Sequence, residues 1–317
     1  MSDRRGLGKG IGSIIIYFMM KEYHMIKEIS VIGAGGKMGS WFTKYFSKRN
    51  NAHLLLYDIN PSFQCDLENS TICHSIDDCV GNADIVFICV PIRNIPATLK
   101  QCALRMKPGA ILAEISSVKY KSFKALKKIS SEIRTLCIHP MFGPGAEDIK
   151  DMNILIIPVR DEREETLISK CLFQDALIMV LPSPKIHDDL IALVLGLTHY
   201  INIIFGSFLS KENFDLLKKV SGTTFELQSL LCRSIFTDAA DLIVALLSEN
   251  PSTRRYIQNY VNNANKIAKL IFEGDEIKLK AHVLKTKSIL EQQQKLELSY
   301  QRMYHVVKEL NKHVPFD

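Results

Sequence analysis

The stretch from Glu28 to Asp58 constrains this chain more than any other. Glu28 to Ile32 is apolar and β-branched and is predicted as a strand. It runs straight into Gly33-Ala34-Gly35-Gly36-Lys37-Met38-Gly39, followed by a helical stretch from Ser40 to Lys48. A second strand, His53 to Tyr57, ends at Asp58. Glycines let a backbone approach a pyrophosphate closely, and the helix N-terminus behind them offers N–H groups and the positive end of a dipole. Asp58 stands 19 residues after Gly39, close to the spacing of about 20 expected for a carboxylate on a ribose. The order strand, glycine turn, helix, strand, acid therefore predicts a dinucleotide site built from Gly33, Gly35, Gly36, Lys37, Met38, Gly39 and Asp58. The glycine frame is irregular. Read as GxGxxG from Gly33, its last position is Met38; read from Ala34, its first is alanine. The other reading of these residues is a glycine-rich turn in a different α/β domain. Asp58 favours NAD over NADP, because a carboxylate repels a 2′-phosphate, and Ile59-Asn60-Pro61-Ser62 brings no basic residue to offset it.

Strands and helices go on alternating. Asp84 to Val90, Ala110 to Glu114 and Thr135 to Ile138 are predicted strands, with a helix over Ile95 to Met106. Asn153 to Val159 and Ala176 to Leu181 extend the same pattern. Near-continuous apolar strands separated by helices predict a mostly parallel sheet covered on both faces, a Rossmann-type α/β domain. Ligands of such sheets bind at the carboxyl ends of the strands. Pro91, Ser117, Lys119 and His139 stand at such ends, and Pro91 is grouped with the nucleotide site. His139 opens the stiff segment His139-Pro140-Met141-Phe142-Gly143-Pro144. An imidazole fixed there can take or give a proton near neutral pH; the competing reading is a structural histidine. The enzyme reading demands an imidazole that faces the nucleotide crevice and is not walled off from solvent by packed side chains; failing that, only a two-part dinucleotide-binding scaffold is left.

Pro182-Ser183-Pro184 marks a boundary. The expected division is an N-terminal extension over 1–25, a dinucleotide-binding domain over 26–182 and an all-α domain over 183–317. Arg4, Arg5 and Lys9 precede the short apolar run Ile14 to Met20, which resembles a signal sequence but lacks a small-residue cleavage site. It is read instead as a poorly ordered extension upstream of a natural start at Met20 or Met25. Leu190 to Leu209 carries no charge. It is long enough to span a bilayer, but its His199, Asn202, Thr198, Ser207 and two glycines favour a buried helix. A helix apolar all round in a helical domain predicts a partner subunit, hence a homodimer.

Composition narrows the function. In 317 residues the net charge of +6 is thinly spread. The cluster Lys119, Lys121, Lys124, Lys127 and Lys128 has helical spacing and is read as a solvated face, so no nucleic-acid partner is expected. The modest positive balance suits a small anionic substrate. None of the eight cysteines forms a CxxC pair, which predicts reduced thiols in a cytoplasmic protein with neither disulfides nor a metal site.

Four segments together, Gly33–Gly39, Ser116-Ser117-Val118-Lys119, His139-Pro140-Met141-Phe142-Gly143-Pro144 and Leu197-Thr198-His199-Tyr200, resemble prephenate dehydrogenase. The resemblance runs from about Ile26 to the end of the chain, and the histidine segment is its most specific part. It implies an NAD-binding domain followed by a helical dimerisation domain, and oxidative decarboxylation of prephenate to 4-hydroxyphenylpyruvate in tyrosine biosynthesis. It gives His139 the role of catalytic hydrogen-bond acceptor for the substrate hydroxyl, with Ser117 hydrogen-bonding both. Lys119 would bring positive charge to the cleft, His199 would face substrate, and Arg233 would grip a carboxylate. Each has a plainer reading: Ser117 as a helix cap, Lys119 and Arg233 as surface residues, His199 as a core histidine. Alternatives to the whole reading are arogenate dehydrogenase, another NAD(P)-dependent dehydrogenase of this build, and a non-catalytic dinucleotide-binding regulator.

Overall fold

The computed structural model describes residues 26–49 and 52–313. The readings made for residues 1–25 lie outside the described residues. The chain divides between Ile191 and Ala192 into two compact units.

The first unit is built on an eight-stranded sheet. In chain order its elements are β1 (Glu28–Ile32), α1 (Lys37–Arg49), β2 (His53–Tyr57), β3 (Ser70–Ile72), α2 (Ile76–Val80), β4 (Ile85–Ile88), α3 (Ile95–Ala103), β5 (Ile111–Glu114), α4 (Tyr120–Leu126), β6 (Arg134–Pro140), β7 (Asn153–Ile156), α5 (Glu162–Leu172), β8 (Leu177–Val180) and α6 (Pro184–Ile191). The strand order is β3-β2-β1-β4-β5-β6-β7-β8. Every pairing is parallel except β6 with β7. The chain moves outward on one side of β1 and then returns to β4 on the other, so a topological switch point lies between these strands. Doubly wound sheets bind ligands there.

Burial explains why the strands read as unbroken apolar runs. All four residues of β4 and all four of β5 are buried. On α1, Trp41, Phe42, Tyr45 and Phe46 fall on one face at helical spacing. Phe42 stacks on Phe87 of β4 and Phe46 packs against it at a tilt, with ring centroids 5.3 and 4.9 Å apart. Each such ring contributes about 1.5–3 kcal/mol on burial, so this contact fixes the glycine-turn helix against the sheet.

Three expectations shift. The short edge strand β3 was not predicted. Helix α1 starts at Lys37, so Lys37 and Met38 form its first turn rather than part of the loop. The boundary falls after α6 instead of before it, because Asp188 on α6 accepts hydrogen bonds from the backbone of Lys119 and Tyr120 at 2.9 and 3.0 Å. That ties α6 to the sheet unit.

The second unit is helical: a π-helical segment (Ala192–Leu197), then α7 (Thr198–Leu209), α8 (Phe214–Val220), α9 (Thr223–Ile235), α10 (Ala240–Ser248), α11 (Pro251–Phe272), α12 (Glu276–Gln293) and α13 (Leu296–His313). Within the single chain the uncharged run is only partly buried. The helical run Pro184–Leu209 is, among the described residues, the one long and apolar enough to cross a membrane, and only 28% of its most apolar window is buried within the chain. Phe208 is 64% exposed.

Candidate active site

The glycine turn explains its own irregular frame. Gly33 has φ of +87°, and a Cβ there would lie 2.6 Å from the carbonyl oxygen of Cys89. A Cβ on Gly39 would lie 2.0 Å from the carbonyl oxygen of Gly33. Gly39, not position 38, is thus the glycine that lets the helix close against the turn, and the frame is Gly33, Gly35, Gly39. Gly35 and Gly36 are exposed at the helix start, where the backbone can approach a ligand. The Gly35 N–H donates to Asp58 Oδ2 at 2.8 Å, and the Asn60 N–H to Oδ1 at 2.9 Å. The carboxylate at the end of β2 is thereby held beside the turn, the arrangement a dinucleotide ribose requires. Pro91 follows β4, beyond the switch point, and is exposed.

His139 lies inside β6, opposite Leu155 of β7, rather than in the loop after the strand. The residue is 3% exposed, so packed side chains wall it off and the condition that the enzyme reading sets is not met: pairing with β7 carries the strand past the residue. Nδ1 lies 2.9 Å from Nε2 of His187. His187 Nδ1 lies 2.8 Å from Asp188 Oδ1. Nε2 of His139 makes no hydrogen bond to any described residue. Burial pushes the His139 pKa well below its ordinary value, with the nearby His187 and Lys119 acting the same way. The imidazole is therefore neutral near pH 7, the state a proton acceptor needs. Beyond His139 the loop is fastened to α1: Trp41 Nε1 donates to the Ala146 carbonyl at 2.7 Å, and its ring lies 4.8 Å from Phe142. The glycine-turn helix and the histidine segment are thus mechanically joined.

Ser117 follows β5, the neighbour of β6, and is half-buried. It caps no helix, since the N-cap of α4 is Lys119, and its hydroxyl makes no hydrogen bond to a described residue. Lys119 requires a correction. It belongs neither to a solvated face nor to a cleft: its side chain has no exposure, and Nζ lies 2.7 Å from Glu114 Oε1. It also donates to the carbonyl of Ile138, one residue before His139. A charge held this way braces the strand and is not offered to a ligand.

In the helical unit His199 is 9% exposed, and its Nδ1 donates to the Leu195 carbonyl at 2.8 Å. Arg233 on α9 is exposed, with its guanidinium carbon 4.8 Å from the ring centroid of Phe214. It lines an apolar cavity of about 440 Å³ with Phe214, Cys232 and Phe236, and His199 is not part of that lining. Sequence reasoning missed His187 and Asp188. Their signal was available: an adjacent imidazole and carboxylate just after the Pro182–Pro184 break. All eight cysteines are free thiols.

Residues 44–153 match the family model for the nucleotide-binding domain of prephenate dehydrogenase. A probable arogenate/prephenate dehydrogenase of Methanocaldococcus jannaschii is 24% identical over 256 residues, covering 78% of this chain and 57% of its own length. The T-protein of Haemophilus influenzae is 24% identical over 239 residues, 74% of this chain and 59% of its own. The chain thus spans less than two thirds of the length of these curated relatives. Among solved structures, Aquifex aeolicus prephenate dehydrogenase, crystallised with hydroxyphenyl propionate and NAD+, superposes with a TM-score of 0.66 at 20% identity over 84% of this chain and 98% of its own. Synechocystis arogenate dehydrogenase gives 0.62 at 18% identity, over 84% of this chain and the whole of its own. These two establish the fold. The matched nucleotide-binding domain and the relatives taken together support the prephenate dehydrogenase family as the one this chain resembles.

Proposed function

We propose that this chain oxidises prephenate to 4-hydroxyphenylpyruvate with NAD+ as hydride acceptor. The observation that carries the reading is the glycine turn with Asp58 held beside it. His139 near the end of β6, neutral and with no hydrogen bond from Nε2 to a described residue, is assigned as the proton acceptor, although its 3% exposure counts against an enzyme reading. NAD is favoured because Gly33 and Gly39 let the turn close tightly, Gly35 and Gly36 expose backbone at the helix start, and Asp58 sits where a ribose hydroxyl is expected. When bound, the nicotinamide supplies the hydride acceptor.

The chain's own contribution is proton handling. As hydride leaves the carbinol carbon, positive charge builds there unless the hydroxyl proton is drawn off. His139 Nε2 takes that proton: the O–H bond breaks, and its electron pair becomes part of a carbonyl. Loss of CO2 returns an electron pair to the ring, and the proton goes back to the oxygen of the new phenol. Ser117, with a hydroxyl that has no partner among the described residues, is assigned to the same substrate hydroxyl. Arg233 and His199 are assigned to the substrate on the strength of the resemblance. Guanidinium suits a carboxylate because it pairs with both oxygens. Lys119, buried and paired with Glu114, is not available to the substrate.

The uncharged helix, with Phe208, Leu193 and Val194 exposed on it, is assigned to a homodimer contact in a cytoplasmic enzyme. Oxidation of arogenate is the second reading. The M. jannaschii relative carries both names, and the two substrates differ only in an amine against a keto group.

Initial rates with prephenate and arogenate, each with NAD+ and NADP+, test this. Prephenate with NAD+ is expected to be fastest. A faster arogenate rate selects the second reading, and turnover in none of the four pairings overturns both. His139→Asn is expected to retain NAD+ binding and lose about 10²-fold or more in kcat.

A further inference from the structure

The His139 ring does not stand alone: His187 and Asp188 continue from it in a line of buried groups. Asp188 is anchored at its far end. Its Oδ1 accepts the Lys119 N–H at 2.9 Å, and its Oδ2 accepts the Tyr120 N–H at 3.0 Å. A carboxylate oxygen only accepts, so the His187 Nδ1 lying 2.8 Å from Oδ1 carries a hydrogen. His187 is buried and its pKa is lowered, burial outweighing the help of Asp188. It is therefore neutral, and its Nε2 is a bare lone pair. That lone pair lies 2.9 Å from His139 Nδ1. A contact at this distance needs one hydrogen, and only His139 Nδ1 can supply it. With its hydrogen on Nδ1, neutral His139 has a bare Nε2.

We propose that Asp188 and His187 are positioning residues that lock His139 in the Nδ1–H tautomer, so that Nε2 is the proton acceptor. The proposal rests on the reading of His139 as the base and says why that base works from one nitrogen only. Without the relay, His139 Nδ1 is left without its acceptor, and the ring divides between two tautomers, one of which presents N–H to a hydroxyl that needs an acceptor. When Nε2 takes a proton, the imidazolium donates through Nδ1 to His187 and the Asp188 carboxylate balances it two hydrogen bonds away. The other charged groups beside the relay, Lys119 and Glu114, are already paired with each other, which leaves Asp188 to set the direction. An acid that fixes the tautomer of a catalytic imidazole is a known device in hydrolases; here a second imidazole stands between the two.

Two measurements test it. In the whole protein labelled with 15N-histidine, long-range proton–nitrogen correlation reports which nitrogen of His139 bears hydrogen, with His139→Asn identifying its signals. Hydrogen on Nδ1 and a bare Nε2 are expected; hydrogen on Nε2 overturns the proposal. In kinetics, His187→Gln puts an amide where Nε2 stood, able to accept from His139, whereas His187→Leu offers nothing. The glutamine variant is expected to hold kcat within about tenfold of the parent, and the leucine variant to lose about 10²-fold or more, with the KM for NAD+ unchanged in both. Equal losses in the two variants, or a leucine variant within threefold of the parent, overturn it. The NMR measurement uses no substrate. A chain that turns over neither prephenate nor arogenate yet keeps this tautomer would sink the proposed function and leave the relay standing.

Discussion

Lys119 Nζ lies 2.7 Å from Glu114 Oε1, and neither side chain is exposed. Glu114 also accepts from Ser116, Ser122 and Cys137, while Lys119 donates to the Ile138 carbonyl. The pair therefore sits beneath the strand end that carries His139. Removing one partner of a buried pair leaves an uncompensated charge at a cost of about 3–5 kcal/mol. Lys119→Met is expected to lose stability of that order in urea unfolding, and Lys119→Met with Glu114→Leu to recover much of it. A single variant within 1 kcal/mol of the parent would contradict this account.

Stability is expected to fall in acid in two stages. Burial holds the His139 pKa well below its ordinary value of 6.5. Below pH 6.5 the unfolded chain therefore binds a proton that the folded chain refuses, and stability declines towards the folded pKa. For Glu114, burial raises the pKa, but the charge of Lys119 and hydrogen bonds from Cys137, Lys119 and Ser116 prevail, and the net shift is downward from 4.5. Its contribution is complete above 4.5 and is lost as pH falls through the lower folded value. Unfolding free energy measured from pH 8 to 3 should show both declines. Flat stability from pH 7 to 5 would remove the first.

Gly39→Ala would drive a methyl group to within 2.0 Å of the Gly33 carbonyl oxygen. Backbone cannot yield there as a side-chain tip could, so about 1–3 kcal/mol of stability is expected to go. NAD+ affinity should fall at least tenfold as the turn opens. Trp41 is the sole tryptophan and lies two residues along the same helix, so its fluorescence follows both. Unchanged NAD+ affinity would mean that the turn does not hold the cofactor.

Asp58→Ser removes the carboxylate that accepts from Gly35 and Asn60. Hydrogen bonds to charged groups contribute about 1.5–3 kcal/mol. The KM for NAD+ should therefore rise by one to two powers of ten, while the KM for NADP+ falls as the repulsion with its 2′-phosphate disappears. Parallel increases for both cofactors would show that Asp58 only shapes the turn.

The predicted strands and the glycine turn were legible because each rests on neighbours in the chain. Apolar runs report burial on both faces, and a turn that needs a positive φ reports itself as glycine. The irregular frame was not legible, because the contact that requires Gly39 is with the carbonyl of a residue six positions back, across the turn. Lys119 was misjudged for a related reason. Helical spacing of lysines looks like a wet surface until Glu114 and the Ile138 carbonyl are placed around one of them.

By itself the sequence determined what local chemistry determines: a doubly wound sheet, a nucleotide turn with its acid, a helical second half, and a histidine in a stiff segment. Tertiary structure alone decided what that histidine can do. His187 and Asp188 are 48 and 49 residues away along the chain, and only when α6 docks on the sheet unit does a line of hydrogen bonds exist to fix which nitrogen is bare. Spacing along the chain carries no information about such a line, because hydrogen-bond direction is set by atoms that meet in space.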